Sequence, residues 1–323
     1  MPNPRLLITF PMLPEMQPKL QALTQVQLEQ MPEEESGCRE SLLKRIRGCA
    51  GLICSTNLQI DKELLQAGGP SLKVISTKSV GYNHIDLSAC REQGIQVGYT
   101  PDIVTDATAD TTAILTIMTA RGMGDALASV KDGRWGPWNA NGNLGMQLPG
   151  KTIGFLGLGR IGYATAQRLQ AFGASRFIYH NRNLSRYAEE LGAKRVEFTQ
   201  LLADSDVLII TANYTPEARH MIRQETLRQM QPHAILINTA RGGFVQHEDL
   251  AQALKEGIIG AAGLDVTHPE PIDPDHPLVH QPNCIILPHI GTDTVETTLK
   301  MEELTLDNAL KGIKGEPLHA SLT

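Results

Sequence analysis

An α/β protein with two doubly wound parallel sheets is predicted by three features of this 323-residue sequence. Short apolar, β-rich runs recur along the chain, separated by helix-like stretches. The runs are continuous, not alternating, as in strands buried on both faces of a parallel sheet. They also fall into two groups, and at roughly 100–200 residues per domain the length suits two domains. Strand–helix–strand alternation then places helices on both faces of each sheet.

The first group comprises residues 5–10, 51–54, 73–77 and 95–99. A domain boundary is expected near Pro101, followed by a connecting helix over 102–121. The segment 133–150, rich in Gly, Asn, Pro and Trp, reads as a long functional loop or a docked arm. The second group comprises 152–157, 176–180, 206–212, 234–239, 259–266 and 284–287. A last helical pattern over 294–312 is expected to cross back. The predicted domains are therefore 1–102 with 294–323, and 103–293, with an active-site cleft expected between them.

Composition excludes several classes. Apolar residues make up 41% and charged residues 20%, ordinary for a chain with sizeable cores. The formal net charge of −6 argues against nucleic acid or an anionic membrane surface as the main partner. No apolar run approaches the roughly 18 residues of a membrane span. The start, Met1-Pro2-Asn3-Pro4-Arg5-Leu6, lacks the apolar stretch of a secretory signal. The five cysteines, Cys38, Cys49, Cys54, Cys90 and Cys284, have neither metal-knuckle nor redox-pair spacing and read as reduced thiols. A soluble, cytoplasmic, metal-free protein is expected.

The sharpest motif is Gly157-Leu158-Gly159-Arg160-Ile161-Gly162, lying between a strand and a helix over 163–172. The first glycine permits the tight turn, the second lets a pyrophosphate approach the backbone, and the third lets helix and strand pack closely. The free N–H groups of the helix face the phosphates. A second strand, 176–180, follows at the distance of a Rossmann-like unit. Dinucleotide binding is predicted, with Gly157, Gly159, Arg160, Ile161 and Gly162 at the phosphates. The second strand normally ends in an acid that binds the adenosine ribose. Here Asn181 and Arg182 follow it instead. Asn181 would not repel a 2′-phosphate and Arg182 can pair with one, which predicts NADPH over NADH. Arg186 is either a second cation in that field or a surface residue.

Later strands each lead to a polar residue: Arg241, Glu270 and His289. Ligands of open parallel sheets bind at the carboxyl ends of strands, so these residues can converge at a nicotinamide.

With these motifs, the chain resembles the D-isomer-specific 2-hydroxyacid dehydrogenase family. The resemblance runs through Ser76-Thr77-Lys78-Ser79-Val80-Gly81, Val97-Gly98-Tyr99-Thr100-Pro101, the glycine turn, Asn238-Thr239-Ala240-Arg241-Gly242, Gly263-Leu264-Asp265-Val266, Pro269-Glu270-Pro271 and Pro288-His289-Ile290-Gly291. It implies two Rossmann-like or flavodoxin-like domains and, within the family, greatest similarity to reductases of glyoxylate and hydroxypyruvate. It implies that His289 gives a proton to the substrate carbonyl and that Glu270 orients the imidazole. Arg241 would anchor the substrate carboxylate, helped by the backbone N–H groups of Val80 and Gly81. Thr239, Asp265, His289 and Gly291 would meet the cofactor, Asp265 by accepting from the nicotinamide amide. A homodimer is implied, with 123–150, including Trp135 and Trp138, as the arm.

Three departures stand out. Asp110 replaces the Glu usual in the connecting helix and is expected to keep a structural hydrogen bond. Asp293 adds a negative charge after the His289 motif. Lys78 stands where relatives often carry an apolar residue and either faces the substrate or points to solvent. The alternatives to the reductase reading are another 2-keto acid reductase with a bulkier substrate, a dinucleotide-sensing corepressor and a recruited structural protein. Turnover of NADPH with glyoxylate separates the enzyme from the binding proteins.

Overall fold

The computed structural model describes residues 3–137 and 144–323. Trp138, expected in the arm, lies outside the described residues. The chain divides into two compact units, one of residues up to Val104 with Asp293–Thr323, the other Thr105–Thr292.

The first unit holds a five-stranded sheet: β1 (Arg5–Ile8), β2 (Gln27–Gln30), β3 (Cys49–Cys54), β4 (Val74–Thr77) and β5 (Gln96–Gly98). Every pairing is parallel, in the order β2-β1-β3-β4-β5. All six residues of β3 are buried, as its central position requires. The edge strand β2, Gln27-Leu28-Glu29-Gln30, was not anticipated, because it has no apolar run to reveal it. The Val295–Lys314 helix lies on one face of this sheet. A Cβ on Gly312 would come within 2.4 Å of Val74, so glycine is what lets that helix sit against β4. Its first turn is capped by Thr294 Oγ1, which accepts from Thr297 N at 3.1 Å.

The second unit holds seven parallel strands: β6 (Thr152–Leu156), β7 (Arg176–His180), β8 (Lys194–Arg195), β9 (Val207–Ile210), β10 (Ile235–Asn238), β11 (Ala261–Leu264) and β12 (Cys284–Ile286). Their order is β12-β11-β10-β9-β6-β7-β8. The chain direction across the sheet reverses between β6 and β9, the switch point where α/β sheets open a crevice. Separate apolar clusters cover the two faces. The connecting helix is Thr105–Ala120, and Asp110 in it pairs with Arg168 of the neighbouring Arg160–Gln170 helix. The substitution of Glu by Asp at that position therefore keeps an ionic contact between the two helices.

Among the described residues no helix is long and apolar enough to cross a membrane, and no cluster of ligating side chains could hold a metal ion.

Candidate active site

The glycine turn is built for close approach. Gly157 has φ 99°, and a Cβ there would lie 2.4 Å from the backbone of Ala212 at the end of the neighbouring strand. A Cβ on Gly162 would lie 2.9 Å from Gly157 O, so the third glycine seats the helix on the turn. Gly159 has nothing within 4 Å of its Cβ position and starts the Arg160–Gln170 helix without a side-chain cap. The open side of the turn thus faces free space at a helix N-terminus, which fits a pyrophosphate. Arg160 is exposed and Ile161 half-buried in the first turn of that helix.

At the end of β7, Asn181 is turned back onto the glycine turn. Its Oδ1 accepts from Leu158 N at 2.7 Å, and its Nδ2 donates to Leu158 O at 3.3 Å. The carboxamide thereby fixes the spacing of the two turns that would flank an adenosine. Arg182 is exposed beside it. Arg195, on the two-residue edge strand β8, donates from Nη2 to the carbonyls of both Asn181 and Arg182 at 3.0 Å. No sequence pattern pointed to Arg195, because β8 has no apolar residues. Arg186 is engaged with Tyr187, donating to its hydroxyl at 2.6 Å and lying 4.8 Å from its ring centroid.

Arg241, Glu270 and His289 follow three adjacent strands, β10, β11 and β12. Buried Asn238 shapes the first turn, donating from Nδ2 to Arg241 O at 2.9 Å and accepting from Ala240 N at 3.0 Å. A Cβ on Gly242 would lie 2.0 Å from the Thr267 carbonyl, so glycine lets the Arg241 turn press on the chain leading to Glu270. Thr239 bonds Thr112 through their hydroxyls at 2.8 Å. Glu270 Oε1 accepts from Thr267 N at 3.0 Å, and its Oε2 lies 2.8 Å from His289 Nδ1. With Nδ1–H turned to the carboxylate, Nε2 is left as the atom that exchanges a proton with a ligand.

His289 has φ 58°, a left-handed conformation that costs a non-glycine residue roughly 1–3 kcal/mol unless its surroundings hold it. Asp265 supplies that hold. It is 2% exposed, and its two oxygens accept from Ile290 N and Gly291 N, both at 2.9 Å. An acid at a strand end can cap a turn as readily as it can meet a cofactor, and Asp265 does the former here. A Cβ on Gly291 would sit 2.7 Å from Asp265 Oδ2. Gly291→Ala should therefore displace the carboxylate and release the His289 loop, lowering kcat about tenfold or more while the fold survives, as read by steady-state kinetics beside circular dichroism.

The hydrogen bond to Glu270 raises the His289 pKa above the ordinary imidazole value, against the opposing effect of burial. Burial alone would raise Glu270, but the bond from His289 and the nearby positive charge hold its carboxyl below the usual range. Burial pushes Asp265 up despite its two backbone donors. Burial also lowers the Arg241 guanidinium, while the Glu270 charge opposes the shift. The guanidinium stays charged.

Val80 and Gly81, half-buried, lie in the first unit on the loop after β4. Ser79 Oγ donates to Gly81 O at 2.6 Å and lies 2.9 Å from Thr77 Oγ1. Lys78 is engaged by partners within the first unit. Its ammonium lies 3.4 Å from Glu302 Oε1 and 4.3 Å from the Phe10 ring centroid. Asp293 is exposed.

A dinucleotide cradle and, in the same unit, a histidine–carboxylate pair beside an arginine define a nicotinamide-dependent oxidoreductase. The profile for the D-isomer specific 2-hydroxyacid dehydrogenase NAD binding domain matches residues 113–291. The mouse (Mus musculus) glyoxylate reductase/hydroxypyruvate reductase is 40% identical over 98% of this chain and 97% of its own length. The crystal structure of a glyoxylate reductase from Paecilomyes thermophila superposes with a TM-score of 0.87 at 35% identity, covering 100% of this chain and 99% of that one. An NADPH-dependent glyoxylate/hydroxypyruvate reductase from Sinorhizobium meliloti, solved with NADP and malonate, gives 0.85 at 30% identity, covering 100% and 97%. The chain belongs to the D-isomer specific 2-hydroxyacid dehydrogenase family.

Proposed function

We propose that this protein reduces small 2-keto acids with NADPH, glyoxylate to glycolate and hydroxypyruvate to D-glycerate. The observation that carries the reading is the 2.8 Å contact between His289 Nδ1 and Glu270 Oε2 at the ends of adjacent strands, with Arg241 near enough to act electrostatically on both. Bound NADPH supplies the hydride. His289 Nε2 gives the proton to the carbonyl oxygen, and Glu270 stabilises the imidazolium before transfer. Arg241 binds the substrate carboxylate and polarises the carbonyl; a planar fork suits two neighbouring oxygens. The backbone N–H groups of Val80 and Gly81 are assigned to substrate binding as well. The names of the mouse and Sinorhizobium relatives support the choice of substrate. The test is loss of NADPH absorbance on adding glyoxylate or hydroxypyruvate. Failure with both, beside turnover of a larger keto acid, would transfer the protein to another branch of the family.

The NADPH preference rests on Arg182, with Arg195 fixing the carbonyls that set its backbone. Charge-assisted hydrogen bonds to a 2′-phosphate are each worth about 1.5–3 kcal/mol, or roughly 10–150-fold. Arg182→Ala should weaken NADPH by about that much and leave NADH nearly unchanged. Asn181→Asp should narrow or reverse the preference, since an acid repels the phosphate and cannot donate to Leu158 O. The ratio of kcat/KM for the two cofactors checks both, and a parent enzyme that uses NADH as well as NADPH would sink the assignment.

We further propose a cytoplasmic homodimer. The surface of the second unit exposes Ile114, Leu127, Val130, Trp135 and Leu144, apolar side chains on or beside the helices Thr105–Ala120 and Met123–Lys131. A second copy would cover such a surface.

A further inference from the structure

We propose that Glu302 determines which substrate charge the enzyme accepts: by pairing with the Lys78 ammonium from a buried position, it neutralises a cation that stands beside the loop of Val80 and Gly81, so that singly charged keto acids are preferred to doubly charged ones. The proposal rests on the reading above, in which that loop receives the substrate carboxylate.

Glu302 is 1% exposed, in the Val295–Lys314 helix of the first unit. A carboxylate buried to that degree must be partnered. One oxygen accepts from Leu13 N at 2.9 Å, and the other lies 3.4 Å from Lys78 Nζ. The face of Phe10 closes on the same ammonium at 4.3 Å. Lys78 is thus held by a charge on one side and a ring on the other. It is also the first residue after β4, and its backbone N–H still donates to Cys54 O at 2.8 Å. Val80 follows two residues on, a separation of no more than about 7 Å. A released ammonium on its four-carbon stem would move over a similar range, inside a Debye length of about 8–10 Å. Paired, Lys78 contributes almost no net charge to the loop. Unpaired, it would contribute a full positive charge, felt more strongly by a ligand carrying two negative charges.

Oxamate and oxalate are nearly the same shape and differ by one charge. The test measures their dissociation constants by calorimetry in the presence of NADPH, for the parent, Glu302→Gln and the double variant Lys78→Met/Glu302→Gln. Glutamine keeps an acceptor for Leu13 N but cannot hold the ammonium. Glu302→Gln should shift the affinity ratio about tenfold toward oxalate, and the double variant should return it to within about twofold of the parent. An unchanged ratio in Glu302→Gln would overturn the proposal, as would a shift that survives in the double variant. Should Glu302→Gln not fold, Lys78→Met decides: it leaves the Glu302 charge uncompensated and should shift the ratio several-fold toward oxamate, and an unchanged ratio overturns the proposal. Turnover of glyoxylate by the parent is measured separately. Turnover without the shift refutes only the role of Glu302, and absence of turnover refutes the proposed function.

Discussion

Replacing His289 with alanine is expected to lower kcat for keto acid reduction by about 10²–10⁴-fold, the usual cost of losing a positioned proton donor. The fold should be unaffected, because the ring is partly exposed and Asp265 holds the following loop through backbone groups. Glu270→Gln should cost less at its optimum but move the pH profile. In the proposed mechanism reduction requires protonated His289, and the Glu270 bond raises the imidazole pKa, so the parent would keep its donor charged to a higher pH. The rate falls as the pH passes that raised value. Without the carboxylate the pKa drops, and the fall comes at lower pH. An active His289→Ala enzyme with the parental pH profile would refute the assignment.

Arg241→Lys is expected to lower kcat/KM for the keto acid by roughly 10–150-fold, the equivalent of one lost charge-assisted hydrogen bond. Lysine keeps the charge but presents a point where the guanidinium presents a fork. KM should rise and kcat fall together, since in the proposed mechanism the same group anchors the carboxylate and polarises the carbonyl. NADPH affinity, measured by fluorescence titration, should change little. A variant that lost NADPH affinity alone would place Arg241 in the cofactor site.

The sheets were legible because their central strands are continuous apolar runs, and β3, β9 and β10 are buried along their whole length. The edge strands β2 and β8 were not, because a strand paired on one side and polar in sequence looks like a loop. The helix after the glycine turn begins at Arg160, earlier than expected, since Gly159 itself serves as its cap. The positions of Arg241, Glu270 and His289 could be read from strand ends. What supports them could not. Asp265 reaches 25 and 26 residues along the chain to hold Ile290 and Gly291, and Asn181 reaches back 23 to Leu158. Glu302 lies 224 residues from Lys78. No local pattern encodes contacts of that span, and each depends on where the completed sheets bring the backbone.

All three of Arg241, Glu270 and His289 are carried by the second unit, on neighbouring strands of one sheet. Glu270, Arg241 and Asp265, the charged groups that act on the proton donor, thus lie in the same unit as His289 itself. The proposed specificity pair, Lys78 and Glu302, lies in the other. If the proposals hold, substitutions of that pair are expected to alter which molecules are admitted and to leave the pH profile set by His289 little changed. An engineer, or natural divergence, would then have two nearly independent handles on one catalyst: one sets what is bound, the other sets how it is reduced.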